Sequence, residues 1–104
     1  MNYTENFEGI KLDVQAVDIH ISDGIQESIR DSISKLRKHI TDIIWADVYL
    51  KVEAKHTTEQ RSVGMRLGIP GADVFASDTG EDWFTLLKSV EAKLKKQLDK
   101  KFAS

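Results

Sequence analysis

Alternating apolar and polar positions recur along the chain and predict four β-strands. The alternation slips near Ala16 in the first run, which is typical of a bend or bulge. Pro70 and Gly71 suit the centre of a type II turn, because proline fixes φ and glycine accepts positive φ. Polar runs at 56–60 and 77–80 predict two further turns. The four predicted strands are residues 11–21, 46–55, 63–69 and 72–76.

Two other segments repeat apolar side chains every three or four residues, and each predicts an amphipathic helix. The first helix spans residues 23–40 and begins after Ser22, a favourable N-cap. The second runs from Glu81 nearly to the last residue, with Asp78 or Thr79 as its expected cap. The apolar stripes comprise Ile25, Ile29, Ile33, Leu36 and Ile40, and Trp83, Leu87, Val90, Leu94 and Leu98.

The order of these elements, β-α-β-β-β-α, predicts an α+β fold. A helical crossover makes the first two strands parallel, and short turns make the later strands an antiparallel meander. Each strand has one apolar face, so both helices are expected on one face of a four-stranded mixed sheet. Tyr49 and Phe75 then point to the helix-free face, and Trp45 and Trp83 are assigned to the core or its edge.

The chain length of 104 residues predicts one domain, 1–104. Residues 1–9 are expected to be an extra N-terminal segment that can be flexible. There is no cysteine, which excludes disulfides and cysteine-ligated metals. The N-terminus lacks the apolar core of a secretory signal, and no apolar run is long enough to span a bilayer. We therefore expect no membrane partner and a cytoplasmic location.

Residues that carry catalysis or bind metals are not grouped in recognisable motifs. His20, His39 and His56 fall on a strand, a helix end and a loop, and none lies at the spacing of metal ligands. Phosphate-binding loops and nucleophile motifs are missing as well. The sequence thus predicts neither an enzyme nor a bound cofactor or metal, and no small-molecule substrate.

Charge is distributed unevenly along the chain, although the net charge is only −2. Residues 88–104 hold six lysines and two acids, while residues 1–87 carry nine basic and fifteen acidic side chains. Lys93, Lys96 and Lys100 form one row beside the apolar stripe of the last helix. The first helix adds Arg30, Lys35, Arg37 and Lys38 in its second half. If the helices lie side by side, these cations can form a surface suited to a phosphate backbone. A solvated helix surface is the alternative.

Several segments resemble the ribosome hibernation promoting factor family, also called sigma-54 modulation proteins, which includes the ribosome-associated inhibitor. The resemblance extends over about residues 10–101, and the order and spacing of the segments carry it. The similar segments are Ile19–Ser22, Lys35–Leu36, Val48–Glu53, Ala76–Asp82 and Lys93–Leu98 with Lys100.

The resemblance implies that the chain binds the small ribosomal subunit and its rRNA near the decoding centre. It would then silence and protect idle ribosomes under stress or in stationary phase, and be monomeric away from the ribosome. Because the last predicted helix ends near the last residue, we expect a short family form without the C-terminal domain of long members. The implied RNA-contact residues are Lys35, Lys93, Lys96, Gln97 and Lys100, with Arg37 and Lys38 as weaker candidates.

Two alternatives remain open at this point. The acidic first 87 residues are compatible with a protein-interaction module that acts through the helix-free face at Tyr49 and Phe75. A double-stranded RNA-binding domain also packs two helices on a sheet, but it places lysines at the start of the last helix, where this chain has Glu81 and Asp82.

Overall fold

The sheet contains five strands, one more than the sequence pattern predicts. The computed structural model describes residues 1–40, 42–55 and 58–102. The strands lie in the order β1-β2-β3-β4-β5 across the sheet, so β1 and β5 are its edges. The elements are β1 (Asn2–Phe7), β2 (Ile10–Ala16), α1 (Asp23–Arg37), β3 (Trp45–Lys55), β4 (Thr58–Ile69), β5 (Ala72–Gly80) and α2 (Trp83–Phe102).

The additional strand, β1, pairs antiparallel with β2 and corrects the predicted count of four strands. Glu8 and Gly9 connect the two strands with φ values of 51° and 85°, the combination that a two-residue type I′ hairpin turn requires. The alternation in β1 was missed because Glu5 lies on the same face of the strand as Tyr3 and Phe7. Its cross-strand partner in β2 is the buried Leu12. A charged residue at that position breaks the apolar pattern of a strand.

The predicted strand directions are confirmed. β2 and β3 are parallel, while β3, β4 and β5 form an antiparallel meander. Alternate side chains of β2, β3, β4 and β5 are buried together with the apolar stripes of α1 and α2 in one hydrophobic core. α1 and α2 pack against each other, and their first turns are adjacent: Cζ of Phe84 lies 3.8 Å from the position that a Cβ on Gly24 would occupy. The two helices therefore run side by side in the same direction.

Several predicted boundaries shift where local geometry overrides the pattern. β2 ends at Ala16, not at residue 21, because Asp18 adopts a φ of 56° that ends the extended chain. Ser22 caps α1 as predicted, and its Oγ accepts a hydrogen bond from the N–H of Ile25 at 3.2 Å. α1 ends at Arg37 rather than residue 40, because the N–H of Lys38 bonds three residues back, to the carbonyl of Lys35.

The segment 77–80 is the end of β5, not a turn. The long β4 strand offers it partners, and Gly80 pairs with Arg61. α2 consequently starts two residues later than predicted, at Trp83. Its first turn is capped by Asp82, whose Oδ2 accepts from the N–H and the hydroxyl of Thr85 at 2.8 and 2.7 Å. The expected caps, Asp78 and Thr79, lie in the strand instead.

Candidate nucleic-acid interface

Two of the predicted contact residues, Lys96 and Lys100, are cations on α2 without an internal partner. Both side chains are exposed, and neither has a hydrogen bond or ion pair within the part of the chain that the structure describes. Together with Gln97 and Asp99 they border a shallow depression of about 580 Å³ on the outer side of the helix. Two unpaired ammonium groups four residues apart lie on one helix face, so they can contact neighbouring phosphates of a nucleic acid.

Lys93 and Gln97 lie on the same flank but are already bonded to the free edge of β5. Nζ of Lys93 donates to the carbonyl of Ser77 at 2.9 Å and lies 3.6 Å from Oδ2 of Asp78. Nε2 of Gln97 donates to the carbonyl of Phe75 at 2.7 Å. These contacts satisfy carbonyl groups that an edge strand leaves unpaired. A phosphate contact by either side chain would therefore compete with protection of this edge.

Asp78 connects β5 to α2 at the same edge. The Ser89 hydroxyl donates to its carboxylate, and the Thr79 N–H donates a second hydrogen bond at 2.8 Å. These two bonds, followed by the charge of Lys93, lower the pKa of Asp78 below its usual value of 3.8. Asp78 therefore stays ionised at neutral pH and holds Lys93 toward the strand.

The three candidates on α1 lie in different surroundings. Arg37 is half-buried, and its Nη1 donates to the carbonyl of Glu8 at 2.7 Å and to Oε2 of Glu8 at 3.3 Å. Lys35 and Lys38 are exposed and, among residues 1–40, 42–55 and 58–102, make no ion pair. At 100° per residue, Lys35 projects from the flank opposite Arg37, and Lys38 projects away from the core.

Arg30, on the same flank as Arg37, makes the most extensive ion pair of the surface. Nε and Nη2 donate to the two carboxylate oxygens of Glu5 at 2.8 and 3.0 Å, a bidentate geometry. A third bond joins Nη1 to Glu27 at 3.1 Å. These hydrogen bonds raise the pKa of Arg30 above its usual value. Among the candidate contact residues, Lys35, Lys38, Lys96 and Lys100 have no internal partner in the described part of the chain and are here called the free set. Arg37 and Lys93, like Arg30, are held by internal partners.

The helix-free face carries an aromatic cluster. Tyr49 and Phe75 point to this face as predicted, with exposed fractions of 36% and 39%, and both rings pack over Gly64. Trp45 lies there too, over Gly68, which corrects its assignment to the core or its edge. The alternation of β3 buries Ala46, so the preceding tryptophan must face the other side.

The remaining chemistry-bearing side chains are scattered. His20 and His39 are exposed, and His56 lies outside the described residues. Across residues 1–40, 42–55 and 58–102, no three His, Asp or Glu side chains are grouped as a metal site requires. In that same part of the chain, neither helix is apolar and long enough to cross a membrane.

The family of the chain follows from comparison with known sequences. Residues 12–102 match the family described as sigma 54 modulation protein / S30EA ribosomal protein. The chain belongs to this family. The match starts at Leu12, after β1 and the Glu8-Gly9 turn, and includes both helices with all the candidate contact residues.

Two relatives of the chain carry names that refer to ribosome hibernation. A ribosome hibernation promoting factor of Acinetobacter guillouiae is 25% identical over 99 residues, which cover 88% of this chain and 86% of the relative. A ribosome hibernation promotion factor of Lactococcus lactis subsp. cremoris is 26% identical over 91 residues. Those residues cover 88% of this chain but only 49% of the Lactococcus protein. The chain thus spans about half the length of that relative.

Solved structures share the fold. The Thermus thermophilus Protein Y N-terminal domain aligns with a TM-score of 0.75 at 16% identity and covers 88% of this chain and 97% of that domain. A ribosomal subunit interface protein from Coxiella burnetii aligns with a TM-score of 0.79 at 16% identity, covering 89% and 98%. Almost the whole of each neighbour is aligned, while each alignment leaves about a tenth of this chain uncovered.

Sequence patterns missed the acidic residues that shape this surface. Glu5 and Glu8 belong to the segment left without a role, yet they bind Arg30 and Arg37 from 25 and 29 residues away. The Glu8-Gly9 pair, followed by the alternating run of β2, was the one local signal that could have predicted a hairpin.

Proposed function

We propose that this chain binds the small ribosomal subunit through rRNA near the decoding centre and keeps idle ribosomes silent and protected. The single observation that carries the RNA contact is the pair of unpaired, exposed ammonium groups of Lys96 and Lys100 beside the depression on α2. Membership of the S30EA family and the hibernation-factor names of two relatives support the ribosome as the partner.

The proposed mechanism is steric and electrostatic, without a catalytic step. Lys96 and Lys100 would contact phosphates directly, and Lys35 and Lys38 would extend the contact from the neighbouring helix. Each contact releases counterions from the RNA, so the affinity should fall as salt rises. A folded domain held at the decoding centre would exclude mRNA and tRNA. We expect this role in the cytoplasm, with a monomeric chain away from the ribosome.

The test is co-sedimentation with separated small and large ribosomal subunits at low and moderate salt. Saturable, salt-sensitive binding to the small subunit alone is expected. The double variant Lys96→Glu/Lys100→Glu should then lose at least about tenfold in affinity, because two phosphate contacts become repulsive. Lys93 is left unchanged because its substitution would also disturb the β5 edge.

The matched control is Lys11→Glu/Lys51→Glu, which reverses two exposed lysines on the helix-free face and changes the net charge equally. Full binding by the control, with loss of binding by the α2 variant, supports the helical interface. Equal losses would reduce the effect to net charge and contradict the proposed surface. Lack of binding to either subunit by the unmodified chain would contradict the proposed function itself.

A second candidate function rests on the aromatic cluster of Trp45, Tyr49 and Phe75. Arg66 lies 4.8 Å from the centre of the Phe75 ring, and a cleft of about 710 Å³ opens beside Tyr49, between residues 17–19 and 50–52. An exposed aromatic surface of this kind is also found at protein interfaces. The second proposal is therefore a protein-interaction module that acts through this face. It is supported if Tyr49→Ala/Phe75→Ala lowers ribosome association while the α2 charge reversal leaves that association unchanged.

A further inference from the structure

The β1–β2 hairpin places two carboxylates against the basic flank of α1. Glu5 binds Arg30 through both of its oxygens, and Glu8 binds Arg37 through its carbonyl and its side chain. We propose that this hairpin is an acidic clamp, which withholds Arg30 and Arg37 from RNA and so limits the affinity of the chain for its RNA partner. The inference rests on the proposed function, because it concerns the same helical surface.

The geometry of the clamp matches that of a phosphate contact. A guanidinium group binds a carboxylate and a phosphate with the same bidentate arrangement, so Glu5 occupies the position that a phosphate would take at Arg30. Arg37 has one of its nitrogens directed at the carbonyl of Glu8. The lysines of the free set have no such internal partners among the described residues.

The clamp and the arginines differ in their relation to the family. Arg30 and Arg37 lie inside the matched residues 12–102, whereas Glu5 and Glu8 precede them. Each of the two solved neighbours leaves about a tenth of this chain unaligned. The two carboxylates thus lie outside the part of the chain that matches the family model, and they pair with two cations inside it.

Two features of the hairpin carry an energetic cost. Glu8 adopts a φ of 51°, which is unfavourable for a residue with a side chain. The hydroxyl of Tyr3 is buried without a hydrogen-bond partner in the described part of the chain, beside Glu5 and Arg30. Both costs fall within the hairpin, whose first strand is held by its six-residue ladder to β2, so loss of the two carboxylates leaves the hairpin paired.

The experiment measures binding to purified small ribosomal subunits over a series of salt concentrations. The variant Glu5→Gln/Glu8→Gln removes both carboxylates and leaves the hairpin in place. With Arg30 released and the Glu8 carboxylate removed from Arg37, the slope of log affinity against log salt should steepen by about 0.7–1.8. The Glu8 carbonyl still accepts from Arg37, so the lower value applies if only Arg30 gains a phosphate. The affinity at the lowest salt should rise about tenfold. Glu27 remains beside Arg30, but this carboxylate is exposed and pairs with a single nitrogen.

The matched control is Asp47→Asn/Asp73→Asn, which removes two carboxylates from the helix-free face and changes the net charge equally. A gain by the hairpin variant that exceeds that of the control supports the clamp. Equal gains, or no gain, overturn it. Because the unmodified chain must bind in the same assay, failure of the clamp is distinguishable from failure of the proposed function.

A second pair of variants tests the arginines directly. Arg30→Gln/Arg37→Gln should leave the affinity of the unmodified chain within about twofold, since the clamp already withholds both side chains. Combined with Glu5→Gln/Glu8→Gln, the same substitutions should abolish the gain. Loss of affinity in the unmodified background, or a gain that persists without the arginines, would overturn the proposal. Thermal unfolding establishes that each variant is folded at the assay temperature.

Discussion

Both edges of the sheet are attached to a helix whose side chains donate to the edge strand or its turn, but the acceptors differ. At the β1 edge, carboxylates of the hairpin accept from guanidinium groups of α1. At the β5 edge, Lys93 and Gln97 of α2 donate to backbone carbonyls of the strand. The first arrangement consumes helix cations, whereas the second leaves Lys96 and Lys100 free. The β1 edge with α1 is therefore a neutralised border of the fold, and the β5 edge with α2 is a cationic border.

This comparison shows that the number of basic residues on a helix does not measure its capacity to bind an anion. Arg30 and Arg37 have internal partners, although their side chains lie at the surface. Lys96 and Lys100 belong to a chain with a net negative charge, yet they are unopposed. The local pairing of each side chain decides which of the two borders attracts a polyanion.

The largest expected effect tests the core on which both edges depend. Leu94 is completely buried on α2, so Leu94→Asp should destabilise the protein by about 4 kcal/mol or more and unfold most of it. Circular dichroism during heating measures the loss. Ala92→Asp, at an exposed position of the same helix, is the control and should leave the melting temperature nearly unchanged. An unchanged melting temperature for Leu94→Asp would contradict the packing of α2.

The next effect breaks the β1 edge. Arg30→Ala should lower the free energy of unfolding by about 1–2 kcal/mol, because it removes a bidentate pair whose side chains are only 28% and 27% exposed and leaves Glu5 without its partner. Urea denaturation measures the change. Lys51→Ala removes the more exposed pair with Glu53 and should cost less than about 0.5 kcal/mol. Equal costs would show that the β1 pair is an ordinary surface contact.

A smaller effect, which raises rather than lowers the free energy of unfolding, is expected at the buried Tyr3 hydroxyl of the same hairpin. Tyr3→Phe should raise the free energy of unfolding by up to about 1 kcal/mol, because it removes a buried hydroxyl that has no partner among the described residues. Burial, together with the nearby charge of Glu5, raises the pKa of this hydroxyl, so it stays protonated. Tyr49→Phe is the exposed control. A destabilised Tyr3→Phe protein would indicate that the hydroxyl is hydrogen-bonded after all.

The smallest expected effect tests the β5 edge through the pH dependence of the free energy of unfolding. The pKa of Asp78 is lower in the folded chain than its ordinary value of 3.8, chiefly because of the Ser89 hydroxyl. The folded state therefore binds the proton less well, and the contribution of Asp78 to stability is present above pH 3.8 and lost as pH falls through the lowered pKa. Asp78→Asn should flatten the stability profile there in acid-unfolding measurements. A parallel profile would contradict this role.

Local patterns predicted most of the secondary structure because the signals that form it lie within a few residues of one another. The apolar stripe from Ile25 to Leu36 predicted α1, and Ser22 was identified as its cap. Strand direction followed from the length of each connection. The strand 77–80 was mistaken for a turn because its aspartate, threonine and glycine favour turns in isolation, whereas β4 supplies a ladder to pair with.

The candidate site was predicted only in part. The concentration of lysines on the last helix could be seen directly, and the exposure of Lys96 and Lys100 agrees with it. The sequence did not indicate that Lys93 and Gln97 bond to β5, or that Arg37 bonds to Glu8. Those partners lie 16 to 29 residues away along the chain, beyond the reach of any local pattern.

The sequence by itself determined the order of the helices and of four strands, the faces they bury and the polarity of charge along the chain. Periodicity and short-range turn chemistry are local properties, so the residues alone encode them. Only the tertiary structure decided that residues 2–7 form a fifth strand, and which cations are held and which are free. Those outcomes depend on the register between distant segments, which is fixed only when the segments pack together.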